Sequence, residues 1–99
     1  MKDSEFKDCY AGVFAESGLW INSENEYIEI SSMDYDYRLR TISHLLSALY
    51  LMNRSESAYT GIITFSGRFS DDLAKKLNEL GCKVSESSAG EYQMKKFDY

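Results

Sequence analysis

Along residues 33–52, large apolar side chains recur at steps of four and three, and that period sets the first expectation for the chain. Tyr35, Leu39, Ile42, Leu46 and Leu49 fall on one side of a helix. Leu45, Tyr50 and Met52 widen the stripe. Tyr35 is therefore expected in the core, and the polar run Asn53 to Ser57 is expected to end the helix. A second stripe, Leu73, Leu77 and Leu80, predicts a shorter helix. Ser70 is its expected cap, with Phe69 ahead of it, Asp71 and Asp72 in the first turn, and Gly81 just past the end. Asp71 with Lys75, and Asp72 with Lys76, are spaced to pair four residues apart. Residues 4–16 place Phe6, Cys9, Tyr10, Val13 and Phe14 at helical spacing, with Ser4 as cap and Gly18 beyond the end. Gly12 and the aromatic and β-branched content leave a strand open there.

Other segments alternate with period two or are continuously apolar. LWIN and EYIEIS predict a hairpin around Ser23-Glu24-Asn25, with Ile28 and Ile30 on the buried side. TGIITFSG is apolar on both sides at Ile62, Ile63 and Phe65, the pattern of an interior strand. CKVSE and EYQMKKF predict a closing hairpin around SSAG. The expected order is helix or strand, then β, β, α, β, α, β, β. That order implies an α+β fold, a two-layer α/β sandwich with a small mixed sheet and two main helices on one face. The β-α-β unit at 60–86 is expected to cross right-handedly and to be parallel. No linker, repeat or low-complexity segment interrupts residues 1–99, which read as one domain.

Composition changes this picture mainly through charge. Net charge is −5, but residues 1–37 hold nine acids against Lys2 and Lys7, a balance of −7. Residues 38–99 hold nine bases and seven acids, a balance of +2. A field on one side of the molecule affects partners and encounter rates rather than fold. It also argues against direct nucleic-acid binding, which needs basic patches. No stretch approaches the roughly 20 apolar residues of a membrane helix, and the polar N-terminus does not read as a signal peptide. Cys9 and Cys82 lie in no CxxC or His-linked spacing, so they are expected as two buried thiols in a reducing cytosol. Proline is absent, which leaves the turns to Gly, Ser, Asn and Asp.

Little in the chain suggests catalysis. His44 and Ser43 are helix neighbours about 100° apart and do not form a nucleophile pair. Glu24, Glu26 and Glu29 lack the alternating Asp/Asn pattern and central Gly of a calcium loop, and a solvated hairpin edge accounts for them. SGRFS, residues 66–70, is a strand-to-helix turn where Asp71 and Asp72 would repel an anion. No catalytic, cofactor or metal-binding residues are expected, and the chain does not read as an enzyme.

SSMDYDYRLR, residues 31–40, reads as a helix start. Asp34 with Arg38, and Asp36 with Arg40, are spaced to pair at i,i+4, and both acids suit the positive end of the helix dipole. Tyr37 falls on the opposite side from Tyr35 and is expected to face outward among charges, as interface tyrosines do. The expected partner-binding set is therefore Glu24, Glu26, Glu29, Asp34, Asp36 and Tyr37.

The span LWINSENEYIEISSMDYDYRLRTISHLL resembles an element of small phage and prophage proteins. In it a Trp begins a hairpin, I-x-I-x-x-M follows, and a helix then carries Leu, Ile and Leu. The matching residues are Trp20, Ile28, Ile30, Met33, Leu39, Ile42 and Leu45; Arg38 and Thr41 stand where the element usually has His and Asn. The order of elements is similar to that of the C-terminal domain of translation initiation factor three and of Alba-type proteins. The phage resemblance implies a cytoplasmic protein of the bacterial host cell. A phage-type, acidic, tyrosine-rich domain without catalytic residues is then expected to act by protein–protein binding, as an inhibitor of nucleic-acid-handling or defence machinery of the anti-CRISPR or anti-restriction type. The expected partner is a basic surface of such a bacterial effector. Two other classes fit the same composition. One is an immunity protein neutralising a nuclease toxin. The other is a small nucleic-acid binder using Arg38, Arg40, Arg54, Arg68 and Lys95-Lys96. A homodimer through the terminal strand EYQMKKFDY, taken as a sheet edge, is also open.

Overall fold

The computed structural model describes residues 3–95 of the chain. Three α-β-β units follow one another: α1 (Asp3–Cys9), β1 (Leu19–Ile21), β2 (Tyr27–Glu29), α2 (Tyr35–Ala48), β3 (Asn53–Glu56), β4 (Ile62–Ser66), α3 (Ser70–Glu79), β5 (Val84–Ser88) and β6 (Glu91–Lys95). β1 and β2 form a two-stranded ribbon, and the other four strands form a sheet in the order β3-β4-β6-β5. The fold is mixed α+β, as expected, with one strand more than the sequence pattern predicted.

Every pairing between neighbouring strands is antiparallel. This revises the expected parallel β-α-β unit. β4 and β5 do run in the same direction, because each is antiparallel to β6, but β6 lies between them. The terminal strand is thus interior rather than an edge, and the sheet's edges are β3 and β5. The polar run Asn53 to Ser57 does follow the end of the long helix, and its first four residues also supply β3. Its NRSE sequence is polar on both sides and becomes a strand by pairing with β4.

One face of the sheet carries the core. Ile63 and Phe65 of β4 and Met94 of β6 point to it and are buried. They meet Ile42, Leu45, Ala48 and Leu49 on or just after α2, and Leu73, Ala74, Leu77 and Leu80 on or just after α3. The other face is polar: Ser55, Thr64, Gln93 and Ser85 stand side by side across the four strands. α3 ends as predicted. Gly81 turns at φ 104°, and the N–H groups of Gly81 and Cys82 bond back to the carbonyls of Asn78 and Leu77. Its start differs: Phe69, in the left-handed region at φ 69°, precedes the helix, and buried Ser70 donates its hydroxyl to the Gly67 carbonyl.

The N-terminal segment is a helix as far as Cys9, followed by a 3-10 turn over Ala11–Phe14. Ser4 lies inside α1 rather than capping it. Gly12 is needed where it stands, because a Cβ there would lie 2.3 Å from Cε3 of Trp20. The indole, 6 % exposed, rests directly on this backbone. Cys82 is buried, but Cys9 is exposed, against the expectation of two buried thiols. Burial pushes the Cys82 thiol up to about 11, partly offset by the charge of Arg38.

α2 is rotated relative to its predicted stripe. The buried positions are Thr41, Ile42, Leu45 and Ala48, with Leu49 following. The centre of this arc lies roughly 80° around the helix from the stripe of large residues. Thr41 and Ala48 are small, so they mark where the helix comes closest to its neighbours, and a count of large apolar residues overlooks them. The rotation exchanges the roles of two tyrosines. Tyr35, expected in the core, is 60 % exposed, whereas Tyr37, expected outside, is half-buried against the core.

Candidate functional site: an acidic hairpin and helix start beside a cleft

The β1–β2 turn is built by one side chain. The Asn22 carboxamide oxygen accepts from the N–H groups of Glu24 and Glu26, both at 2.9 Å, and its amide donates to the Glu26 carboxylate at 3.1 Å. Asn25 takes a left-handed conformation at φ 61° and completes the turn. This geometry leaves Glu24, Glu26 and Glu29 exposed.

β2 ends at Glu29. A 3-10 turn over Ile30–Ser32 and extended Met33 then carry the chain into α2. Asp34 is the N-cap: its carboxylate accepts the Tyr37 N–H at 2.7 Å. The capping role uses Asp34 in a way the expected Asp34–Arg38 pair does not. Among the described residues neither that pair nor Asp36–Arg40 closes. The arginines lie over tyrosine rings instead, Arg38 over Tyr35 and Arg40 over Tyr37, at 5.7 and 5.8 Å. The carboxylates of Glu24, Glu26, Glu29, Asp34 and Asp36 are all exposed, and none is in an ion pair among the described residues. Tyr27, 67 % exposed, and Tyr35 are interleaved with them along the chain. The structure thus brings out the five predicted acids and places Tyr37 differently. Tyr35 is an exposed aromatic that the periodicity places in the core. Tyr27 stands on the same side of β2 as Glu29, two residues on, and its exposure is legible in that alternation.

Beside this surface, a cleft of about 450 Å³ opens between α1, the β1–β2 ribbon and α2. Asp8 and Cys9 line it from α1, Trp20 and Ile21 from β1, and Tyr37 and Arg40 from α2. Its walls are tied together by His44, whose Nε2–H donates to the Cys9 carbonyl at 3.0 Å while its ring lies against Tyr10. The carbonyl can only accept, so this bond fixes the Nε2-protonated form of the imidazole. Tyr10 in turn shares a hydroxyl hydrogen bond with Ser47 of α2 at 2.9 Å.

The junction between α3 and the Ala15–Leu19 segment holds its charges very differently. Lys76 of α3 is 2 % exposed. Its ammonium donates toward the carbonyls of Ala15, Glu16 and Leu19 and to Glu79 Oε1 at 2.8 Å. The same carboxylate oxygen accepts the Gly18 N–H at 3.0 Å. Burial pushes the Glu79 carboxyl up, but the hydrogen bonds from Lys76, Gly18 and Ser17 and the Lys76 charge together leave it below its ordinary value. The expected Asp72–Lys76 pair is replaced by this interior one. Asp71 does not pair with Lys75 either; it accepts from the hydroxyl of Tyr92, a bond that chiefly pushes that phenol up to about 12. Position 76 falls within the period of Leu73, Leu77 and Leu80, and a lysine inside an apolar stripe is a signal the sequence does carry.

Two of the basic residues expected of a nucleic-acid binder are committed to ion pairs. Arg54 pairs with Glu56 at 3.0 Å and lies over Tyr50, and Arg68 pairs with Asp3 at 2.6 Å. The Asp3 pair also occupies the arginine of the SGRFS turn. Lys96 lies outside the described residues. Among the described residues, no three His, Cys, Asp or Glu side chains are placed to hold a metal ion, and no helix is long and apolar enough to cross a membrane. Comparison with known proteins finds no family model that matches the chain, no curated protein similar in sequence and no solved structure similar in fold.

Proposed function

We propose that the protein acts by binding another protein, docking its acidic hairpin and α2 start on a basic surface. The observation that carries this reading is the set of five exposed carboxylates without an ion pair among the described residues, with Tyr27 and Tyr35 between them. A carboxylate committed to no internal cation keeps its charge for long-range attraction, which raises the rate of encounter with a cationic partner. Exposed tyrosines supply contact area at low entropic cost. The anchoring role expected of Tyr37 passes in this proposal to Tyr35 and Tyr27. The partner class we infer is a nucleic-acid-handling effector of a bacterial cell. Such a protein presents a basic groove of the kind an acidic face can occupy, and the phage-type resemblance of residues 19–46 favours an inhibitor of host defence.

The test is capture from bacterial lysate with the wild-type chain and with Glu24→Lys/Glu26→Lys/Glu29→Lys in parallel, each at low and high salt. The expected result is a protein retained by wild type at low salt, lost at high salt and lost from the triple variant. Equal retention by both chains would remove the acidic face from the account.

A further inference from the structure

The cleft beside the acidic face carries two opposite charges that do not meet. Asp8 projects from α1 and Arg40 from α2 into the same cavity of about 450 Å³, and both are exposed. Asp8 has neither a hydrogen bond nor an ion pair among the described residues. Arg40 has only the Tyr37 ring at 5.8 Å. The remaining polar groups are largely used to build the walls. His44 is held by the Cys9 carbonyl, Thr41 donates to the Tyr37 carbonyl at 2.9 Å, and Asn22 makes the hairpin turn. The floor is apolar and aromatic through Trp20, Ile21 and Tyr37. The volume lies in the range of about 300–1,000 Å³ that small-molecule sites occupy.

The charges select among ligand classes. A simple anion would gain from Arg40 but meet Asp8, and a simple cation would meet the reverse. A molecule carrying both charges offers a partner to each group, and an aromatic side chain suits the apolar and aromatic part of the lining. We propose that this cleft binds a small zwitterion of the amino-acid class with an aromatic side chain, its carboxylate on Arg40 and its ammonium on Asp8. This site is independent of the acidic docking face, since none of the five carboxylates proposed for that face contributes to it.

The chain's single tryptophan, Trp20, lines the cleft and gives a direct readout. The wild-type chain is titrated with phenylalanine, phenethylamine and 3-phenylpropionate, following Trp20 emission and, in parallel, heat by calorimetry. The expected result is saturable binding of phenylalanine, with each singly charged analogue weaker by about tenfold or more, the loss of one charge-assisted hydrogen bond. Asp8→Asn and Arg40→Gln should each weaken phenylalanine by a similar factor without moving the melting temperature, because both side chains are exposed. If 3-phenylpropionate or phenethylamine bound as well as phenylalanine, the two-charge site would be wrong. Neither emission change nor heat up to about 10 mM phenylalanine, weaker than any specific site of this kind, would equally overturn it.

Discussion

Two regions of this molecule use charged side chains in opposite ways. On α3, Lys76 and Glu79 are drawn inward and each finds several partners. They fasten the Ala15–Leu19 segment to the helix through the carbonyls of Ala15, Glu16 and Leu19 and the Gly18 N–H. On the β1–β2 hairpin and the start of α2, five carboxylates face solvent with no cation attached among the described residues. The lesson is that charge count alone does not identify a binding surface. What separates the two regions is whether each charge is already satisfied by the fold, and only the second leaves its charge to a partner.

The largest expected effect tests the fastening side. Lys76→Ala removes a buried ammonium that Glu79 and the carbonyls of Ala15, Glu16 and Leu19 share as donor, so denaturant unfolding should show a loss of about 3–5 kcal/mol. Acid should expose the same pair more gently. The folded Glu79 carboxyl titrates below its ordinary value of 4.5. Its contribution is therefore fully present above that value and is lost as pH falls through the lower folded value. A variant with Lys76→Met should show a shallower loss of stability over that acidic window, and an identical pH profile would remove the pair as its cause.

Gly12→Ala comes next. The new methyl would occupy space held by the Trp20 ring, an overpacking cost of about 1–3 kcal/mol. A shift in Trp20 emission should accompany it, because the indole must move. Asp34→Ala removes the cap of α2 and should cost about 0.5–2 kcal/mol in thermal or chemical unfolding. Asp36→Ala, which accepts no capping hydrogen bond, should cost clearly less; equal losses would show that Asp34 acts by charge alone.

How much of this was legible in the sequence differs by element for physical reasons. α3 and both hairpins were readable because their signals are local: a stripe of leucines, Gly81 beyond the helix, and turn residues at Asn22–Asn25 and Gly90. β3 was not, since NRSE has no alternation and becomes a strand only through its pairing with β4. The placement of β6 between β4 and β5 is a non-local choice that element order leaves open. The tyrosine exchange on α2 arose because Thr41 and Ala48, the closest-packed positions, are invisible to a count of large apolar residues. The acidic face was readable as composition, and Tyr27 from its alternation with Ile28, yet Tyr35 was not. Exposure at Tyr35 depends on the core arc being rotated away from it, which the helix period cannot supply.

The smallest expected change in stability belongs to the acidic face, and it makes the sharpest contrast with Lys76. Glu24→Lys and Glu29→Lys should each leave unfolding within about 0.5 kcal/mol of wild type, as exposed sites without side-chain partners among the described residues do. Glu26→Lys should cost somewhat more, because the Asn22 amide donates to its carboxylate. Their main effect should appear in binding. The most direct test of the central claim is therefore the association rate constant with the captured partner, measured against ionic strength for wild type and the triple variant. Wild type should show a steep fall with salt, and the variant a slower, nearly salt-independent rate. Identical salt dependence in the two chains would contradict it.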